Sequence, residues 1–205
     1  MTLRLNGSTS GFVEIDAPAV AGSNTLTLPN SGGSSGQYLQ TNGSGGLSWQ
    51  TVTVPDAISV ARITDSKAQG TNGGTFTNGA WRTRDLNTIE EDPDSIVTLA
   101  SNQFTLGAGT YLIQWSAPGF LINRHMTKLY DITNTADLAF GSSEYLGPAS
   151  ENMSASFGSD IVTLTANNTF EIQHRCQTTR SSNGFGVEAN LAAEKYTMVT
   201  IFKLS

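Results

Sequence analysis

The chain lacks the features that mark several large classes of protein. It has a single cysteine, Cys176, so no disulfide can form within it. No apolar run approaches the roughly 20 residues that a membrane-spanning helix needs. The first residues also lack the basic and apolar regions of a secretory signal. We therefore expect neither membrane insertion nor a disulfide-stabilised scaffold.

Charge is also scarce. Only 14% of the 205 residues are charged, and the 17 acidic residues outnumber the 11 Lys and Arg, which gives a net charge of −6. The basic residues are scattered, whereas a nucleic-acid-binding surface needs them concentrated. Nucleic acid is thus not an expected partner. The abundance of Gly, Thr, Ser and Asn is typical of an extracellular or particle-surface β protein.

No catalytic motif has the context that its chemistry requires. Residues 32–36 match the Gly-x-Ser-x-Gly nucleophile elbow, but no helix follows them. His125 and His174 lie on expected strands without zinc-ligand spacing, and Cys176 is expected to be a half-buried, unreactive thiol. We predict no enzyme activity, no bound metal and no cofactor.

Two alternatives to this negative prediction stay open. The acidic run at residues 90–94 is expected to be a solvated loop, although clustered carboxylates could also bind calcium. Glycoside hydrolysis would need two carboxylates across a groove, a separation that sequence alone does not give.

Residues 12–52 combine short alternating strands with very little side-chain bulk. We predict strands at residues 12–15, 24–28, 37–41 and 47–52. Thirteen of the seventeen residues at 30–46 are Gly, Ser, Asn or Thr. A segment with so few large apolar residues cannot offset the entropy of ordering its backbone. It is therefore either a flexible linker or a segment that completes its core on another copy or on a partner.

The same segment resembles a known family. APAVAGSNTLTLP, followed by a Gly/Ser/Asn turn and GQYLQTNGSGGLSW, is similar to the N-terminal attachment segment of phage tail and virion fibres, common in phages of cyanobacteria and other marine bacteria. The resemblance covers the first quarter of the chain. It implies a homotrimeric virion protein that docks on the particle through residues 1–56.

The remainder, residues 57–205, has the pattern of a β-sandwich, with many short strands separated by turn residues. The predicted strands are residues 58–64, 75–76, 81–83, 95–99, 103–106, 110–116, 125–131, 138–142, 153–157, 160–165, 169–177 and 196–204, with turns at 73–74, 107–109, 118–119 and 167–168. Residues 85–91 and 191–196 are too short to form stable helices. The predicted fold class is all-β.

Both faces of the last predicted strand carry apolar residues. In a lone sandwich one face of each sheet is wet and polar. A strand that is apolar on both faces therefore predicts a sheet that packs on its own core and also on a neighbouring subunit.

A second resemblance concerns this part of the chain. FTLGAGTYLIQWSAPG, SFGSDIVTLTANNTFEIQHR and KYTMVTIFKLS resemble the C1q and tumour-necrosis-factor family of trimeric jelly rolls, although that family's common Gly-Asp hairpin turn is Asn167-Asn168 here. The resemblance implies a jelly-roll head and a homotrimer whose axis is lined by aromatic and aliphatic residues. The candidates for that interface are Tyr111, Trp115, Tyr196 and Phe202. Sequence does not decide which of them face the neighbour and which the core.

Together these patterns predict a phage fibre, assembled in the host cytoplasm and located on the virion, which recognises a host glycan or protein receptor. Candidate sugar-binding groups are Trp81, Arg82, Arg84 and the loop at 180–185. The alternatives are a purely structural capsid-decorating or connector fibre and a glycan-depolymerising fibre. The receptor, the host, the position on the particle and the docking partner are not predicted, nor is any ion on the trimer axis.

Overall fold

The computed structural model describes residues 3–20, 22–52, 58–147 and 152–205, and the chain divides into two compact units, Met1–Pro55 and Asp56–Ser205. The boundary predicted between residues 56 and 57 falls at residues outside those described, so it stays a prediction. The described residues form strands, turns and loops, which confirms the all-β prediction, and none of them belongs to a helix able to cross a membrane.

The first unit contains two β-hairpins. Strand β1 (Leu3–Asn6) pairs with β2 (Phe12–Ile15), and β3 (Gln37–Thr41) pairs with β4 (Leu47–Thr51), both antiparallel. The predicted strands at 12–15 and 37–41 are confirmed, and that at 47–52 is confirmed except for its last residue. None of the described residues in this unit is buried.

Two predictions for this unit need correction. Residues 24–28 do not form a strand, because the neighbouring backbone is a Gly turn with which Thr27 forms an isolated bridge. Thr27 N–H donates to Gly45 O, and the Thr27 carbonyl accepts from Leu47 N–H. The strands predicted for this unit begin at residue 12 and so omit β1, which lies within residues 1–11. Its Leu3 and Leu5 face Ile15 and Val13 across the hairpin.

The described residues of the second unit form twelve strands. They are β5 (Ser59–Lys67), β6 (Arg82–Thr83), β7 (Thr88–Glu91), β8 (Val97–Ala100), β9 (Gln103–Leu106), β10 (Gly109–Phe120), β11 (Arg124–Asp131), β12 (Ala136–Phe140), β13 (Glu144–Tyr145), β14 (Met153–Leu164), β15 (Asn168–Cys176) and β16 (Glu194–Lys203).

These strands form two antiparallel sheets. The five-stranded sheet has the order β14-β10-β16-β5-β7. The seven-stranded sheet has the order β12-β11-β15-β9-β8, with β13 added on β11 and β6 on β15. From β9 onward the chain crosses repeatedly between the sheets, so that β10, β14 and β16 lie in one and β11 and β15 in the other. This order is that of a jelly-roll sandwich, which confirms the predicted fold.

The core lies between the two sheets and follows from strand alternation. Tyr111, Ile113 and Trp115 of β10 point inward and belong to one buried cluster with Phe170 and Ile172 of β15. Each such side chain contributes about 1.5–3 kcal/mol when fully buried. Trp115 can lie across β14 because its partner there is Gly158, where any Cβ would overlap the indole ring.

Several predicted elements differ from those observed. The strands predicted at 153–157 and 160–165 are one strand, β14, and the turn predicted at Pro118-Gly119 lies inside β10. Residues 75–76 contribute only an isolated bridge at Phe76. Strand β7, which was not predicted, covers the beginning of the acidic run. Its Ile89 pairs with Ile63 at the sheet edge.

Candidate functional site

The second unit has two surfaces with the composition of a binding site, and they lie on opposite sheets. The first is the outer face of the five-stranded sheet. Its register places six apolar side chains there, which we call the apolar face: Val60, Leu112, Phe157, Ile161, Met198 and Phe202. Phe157 and Ile161 are each 61% exposed, and Met198 is 43% exposed.

The apolar face has a defined pattern. Ile161, Leu112, Phe202 and Val60 form one row across four strands. A parallel row of polar residues follows: Ser159, Gln114, Thr200 and Arg62. Beside it, between Phe157 and Met198, lies a depression of about 500 Å³. Neighbouring exposed apolar side chains on one face of a sheet are typical of a surface that packs against another protein.

The second surface is a groove on the outer face of the seven-stranded sheet. Its floor is formed by outward-facing residues at neighbouring ends of β11 and β15, and its walls by the segment before β6 and by β13. The groove measures about 670 Å³ and is lined by Asn78, Gly79, Trp81, Arg124, Met126, Ser143, Glu144, Tyr145, Arg175 and Gln177, with His125 and Cys176 beneath. This volume is within the range of small-ligand pockets.

Hydrogen bonds and ring contacts hold the groove residues in place. The Arg124 guanidinium lies 5.0 Å from the centroid of the Tyr145 ring and donates from Nη1 to Gln177 Oε1 at 3.3 Å. Asn78 Nδ2 donates to the Gln177 carbonyl at 3.1 Å, which ties the Trp81 segment to the end of β15. The groove is thus framed by two aromatic side chains with amide groups between them.

The electrostatics of the groove differ from those of the whole chain. Arg124 and Arg175 take part in none of the ion pairs found among the described residues. Of the described lining residues, one is a carboxylate, Glu144, which accepts a hydrogen bond from the Ser142 hydroxyl at 2.8 Å. The groove therefore carries a local positive excess in a chain whose net charge is −6.

Beneath the groove lies a buried group of one arginine and two histidines. His125 Nδ1 and His174 Nε2 are 2.9 Å apart, and His125 Nε2 is 2.9 Å from Ser154 Oγ. Arg84, fully buried, donates to Thr197 Oγ1 at 2.8 Å and to the Phe185 carbonyl at 2.8 Å. We call Arg84, His125 and His174 the buried cluster.

Burial keeps both imidazoles of the buried cluster neutral. It lowers the pKa of His125 to about 4, and it lowers the pKa of His174 well below 6.5, with further contributions from the positive charge of Arg84. Burial also lowers the pKa of Arg84 to about 9, so that its guanidinium stays charged at neutral pH. The two rings can share one hydrogen bond only while at least one of the facing nitrogens lacks a proton.

The alternation of side chains along β15 indicates which face His174 is on. His174 lies two residues after Ile172 and two before Cys176, so all three point to the same, inward face. His125 pairs with Cys176, and His174 pairs with Thr127 two positions further along the ladder. The sequence does not give the pairing register of β11 and β15, and this register brings the two imidazole rings together.

The structure places the four trimer-interface candidates in two different environments. Tyr111, Trp115 and Tyr196 are buried within the unit, although Trp115 also lines the depression on the apolar face. Phe202 is half-buried on the apolar face, and its place in an interface stays a prediction. A β-bulge between Lys195 and Met198 explains why Tyr196, expected on the same face as Met198, turns inward.

The sugar-binding candidates are also separated. Trp81 lines the groove, but Arg84 is buried beneath the surface, and the exposed Arg82 donates to the Thr77 carbonyl at 3.2 Å. In the loop at 180–185, Arg180 donates to Asn183 Oδ1 at 2.9 Å, and Phe185 packs against Phe76. Neither Arg124 nor Tyr145 was a candidate, because each becomes a groove residue only through strand pairing.

The remaining sequence candidates have structural roles. In the acidic run, Asp92 accepts hydrogen bonds from the backbone of Ile96 and Val97, and Glu90 pairs with Lys195. The described residues contain no group of three or more His, Cys, Asp or Glu side chains placed to bind a metal. Burial raises the pKa of Cys176 to about 11, which disfavours the nucleophilic thiolate.

The elbow-like stretch at 32–36 lies in the loop before β3. Ser34 there donates its backbone N–H to Gln37 Oε1 at 2.7 Å. The neighbouring Trp49 donates to the Ser31 carbonyl at 2.7 Å. This loop leads into a strand, whereas a nucleophile elbow leads into a helix.

No family model and no curated protein matches the chain. Similar solved structures include the globular domain of zebrafish complement 1qA, at 11% identity and a TM-score of 0.46, covering 72% of this chain and 98% of that one. Murine APRIL at pH 5.0 is 7% identical with a TM-score of 0.49, covering 72% and 100%. Eiger TNF from S. frugiperda is 14% identical with a TM-score of 0.48, covering 72% and 93%. At such values the likeness concerns strand arrangement and says nothing about partner or activity.

Proposed function

We propose that the chain is the subunit of a homotrimeric phage fibre, located on the virion, whose second unit is a head that binds the host surface. Residues 1–56 dock on the particle, and residues 57–205 carry the receptor site. The role is binding and not catalysis.

The observation that carries this proposal is the apolar face. Phe157, Ile161 and Met198 lie on the outside of a sheet whose inside is already fully packed. Exposing this set to water costs free energy that association with identical faces recovers at about 25 cal/mol per Å² buried. The resemblance of residues 12–52 to fibre attachment segments supports the virion location.

A trimer also suits weak recognition of a repeated surface. Three heads on one fibre, and several fibres on one particle, raise the effective concentration of each site after the first contact. The groove lies on the sheet opposite the apolar face, so packing of the apolar faces leaves it open to a receptor.

The test is the solution mass of the full chain by light scattering coupled to size exclusion. We expect a mass three times the 21.7 kDa of one chain. Phe157→Asp and Ile161→Asp should each give a folded monomer, because a carboxylate in the packed interface is left unpaired. The matched control is Leu191→Asp, which alters an exposed apolar residue outside the apolar face. A monomeric wild-type chain, or trimers that tolerate both substitutions, would contradict the proposal.

Host attachment is tested separately by adsorption. The labelled trimer should bind cells of a host bacterium and compete with phage infection, whereas a capsid-decorating fibre should bind empty capsids through its head. Binding to capsids alone would favour the purely structural alternative.

A further inference from the structure

We propose that the groove of the second unit is a binding site for an acidic saccharide, that is, a short glycan whose sugar rings carry carboxylate groups. The inference rests on the proposed host attachment and names the ligand class of the receptor site.

The shape and walls of the groove fit sugar rings. Tyr145 is 59% exposed and Trp81 half-buried, and both line the groove. Aromatic side chains combine a flat apolar face with a polar edge, which matches the alternating C–H and hydroxyl surfaces of a pyranose. At about 670 Å³ the groove has room for one or two rings.

The polar groups of the groove fit hydroxyl groups. The Gln177 and Asn78 amides lie between the aromatic walls, and each offers both donors and acceptors. They are already oriented by their contacts with Arg124 and Thr179. A site whose amides are held in place before binding loses less entropy when the ligand binds.

The charge of the groove selects an acidic ligand. Among the residues that the structure describes, no carboxylate forms an ion pair with Arg124 or Arg175 in the groove, although acidic residues outnumber basic ones in the chain. A guanidinium offers a planar pair of N–H donors that matches a carboxylate. Stacking of Arg124 on Tyr145 at 5.0 Å holds it at the wall of the groove while its remaining donors stay available.

The first experiment compares two ligands that differ only in charge. Digalacturonic acid supplies sugar rings with carboxylates, and its methyl ester supplies the same rings without charge. Isothermal titration of the full-length wild-type chain should give a dissociation constant of about 0.1–1 mM for the acid. Binding of the ester should be weaker by about tenfold or more, because the charge-assisted hydrogen bonds are lost. Equal binding of acid and ester, or no binding of the acid, would overturn the proposal.

The second experiment locates the site with variants of exposed residues. Arg124→Gln, Arg175→Gln and Tyr145→Ala should each weaken binding of the acid by about fivefold or more. The matched control is Arg4→Gln, which removes a guanidinium stacked at 3.5 Å on the Phe12 ring in the first unit, and it should bind like wild type. Circular dichroism confirms that each variant is folded. Unchanged binding of the acid in all three groove variants would show that it does not bind in the groove.

A third experiment tests whether the groove prefers an acidic saccharide over other anions. It also distinguishes failure of the groove assignment from failure of the proposed host attachment. Tetraglutamate and inorganic phosphate should compete poorly with digalacturonic acid, since neither has a ring for the aromatic walls. Competition by the peptide as strong as by the sugar would overturn the saccharide assignment in favour of an acidic protein segment. Cell adsorption that persists in all three groove variants would contradict the assignment of the groove as the receptor site, while leaving the proposed host attachment intact. Saccharide binding by a chain that adsorbs to no host would contradict attachment alone.

Discussion

The two units of the chain are built from the same kind of strand but reach stability in different ways. In the first unit, β1–β4 form two hairpins in which no described residue is buried. In the second, twelve strands enclose a complete core, with Ile113, Phe104 and Phe170 removed from water. A hairpin alone is marginal in water, whereas two packed sheets are stable. We therefore expect the second unit to fold as a monomer and the first to need a partner surface for stable structure.

The largest expected effect comes from separating the units. A chain beginning at residue 56 should unfold in one cooperative transition, with a midpoint within about 4 °C of the full chain. A peptide of residues 1–55, kept monomeric, should show no cooperative transition by circular dichroism, because it has no core to lose. A sharp transition in the monomeric peptide would contradict the comparison between the units.

Arginines stacked on aromatic rings occur in both units, so the effect of burial can be measured on the same kind of contact. Arg84 lies 4.1 Å from the Phe185 ring and is fully buried, whereas the Arg4 side chain is 52% exposed beside Glu14. Arg84→Met leaves the Thr197 hydroxyl and the Phe185 carbonyl without their donor. We expect it to lower the free energy of unfolding by about 3–5 kcal/mol.

The matched substitution Arg4→Met should cost about 0.5 kcal/mol or less, since an exposed ion pair contributes little. Urea denaturation followed by tryptophan fluorescence measures both variants. Similar losses at the two positions would mean that burial does not set the contribution of these arginines.

The jelly roll was predictable from sequence because its strands alternate. Tyr111, Ile113 and Trp115 follow the period of two, and that period placed them together on one face. Alternation could not tell which face is inside, since Leu112 and Phe202 on the other face are also apolar. Residues that pack against another chain and residues that pack against the core have the same composition, so the trimer candidates came mainly from the core.

The groove and the buried cluster were much less predictable. Tyr145 and Arg124 are cross-strand neighbours although 21 positions separate them in the chain. Trp81 lies on a segment held at the groove by β6 and by the hydrogen bond from Asn78 to Gln177. Sites assembled from four separate segments leave no local motif. The β-bulge before Met198 shows the same limit, since one extra residue reversed the face of Tyr196 without any sequence signal.

The third prediction uses pH to separate the units, because both histidines of the chain lie in the second one. Burial lowers the pKa of His125 to about 4 from 6.5, with Glu144 acting in the opposite direction and Arg84 in the same one. Between these two values the unfolded chain binds a proton that the folded chain does not. The stability contributed by the neutral ring is therefore complete above pH 6.5 and is lost as the pH falls toward 4.

For His125 alone the loss amounts to about 3 kcal/mol by proton linkage, and His174, whose pKa is also lowered, adds to it. Urea denaturation between pH 7 and pH 4.5 should show the free energy of unfolding falling for wild type and falling less for His125→Asn. Because most carboxylates titrate below this window, a flat wild-type profile would mean that the rings are hydrated or already protonated. A profile that falls as steeply without the imidazole of His125 would assign the loss to other groups. Either result would remove the distinction between a dry interior in the second unit and the exposed hairpins of the first.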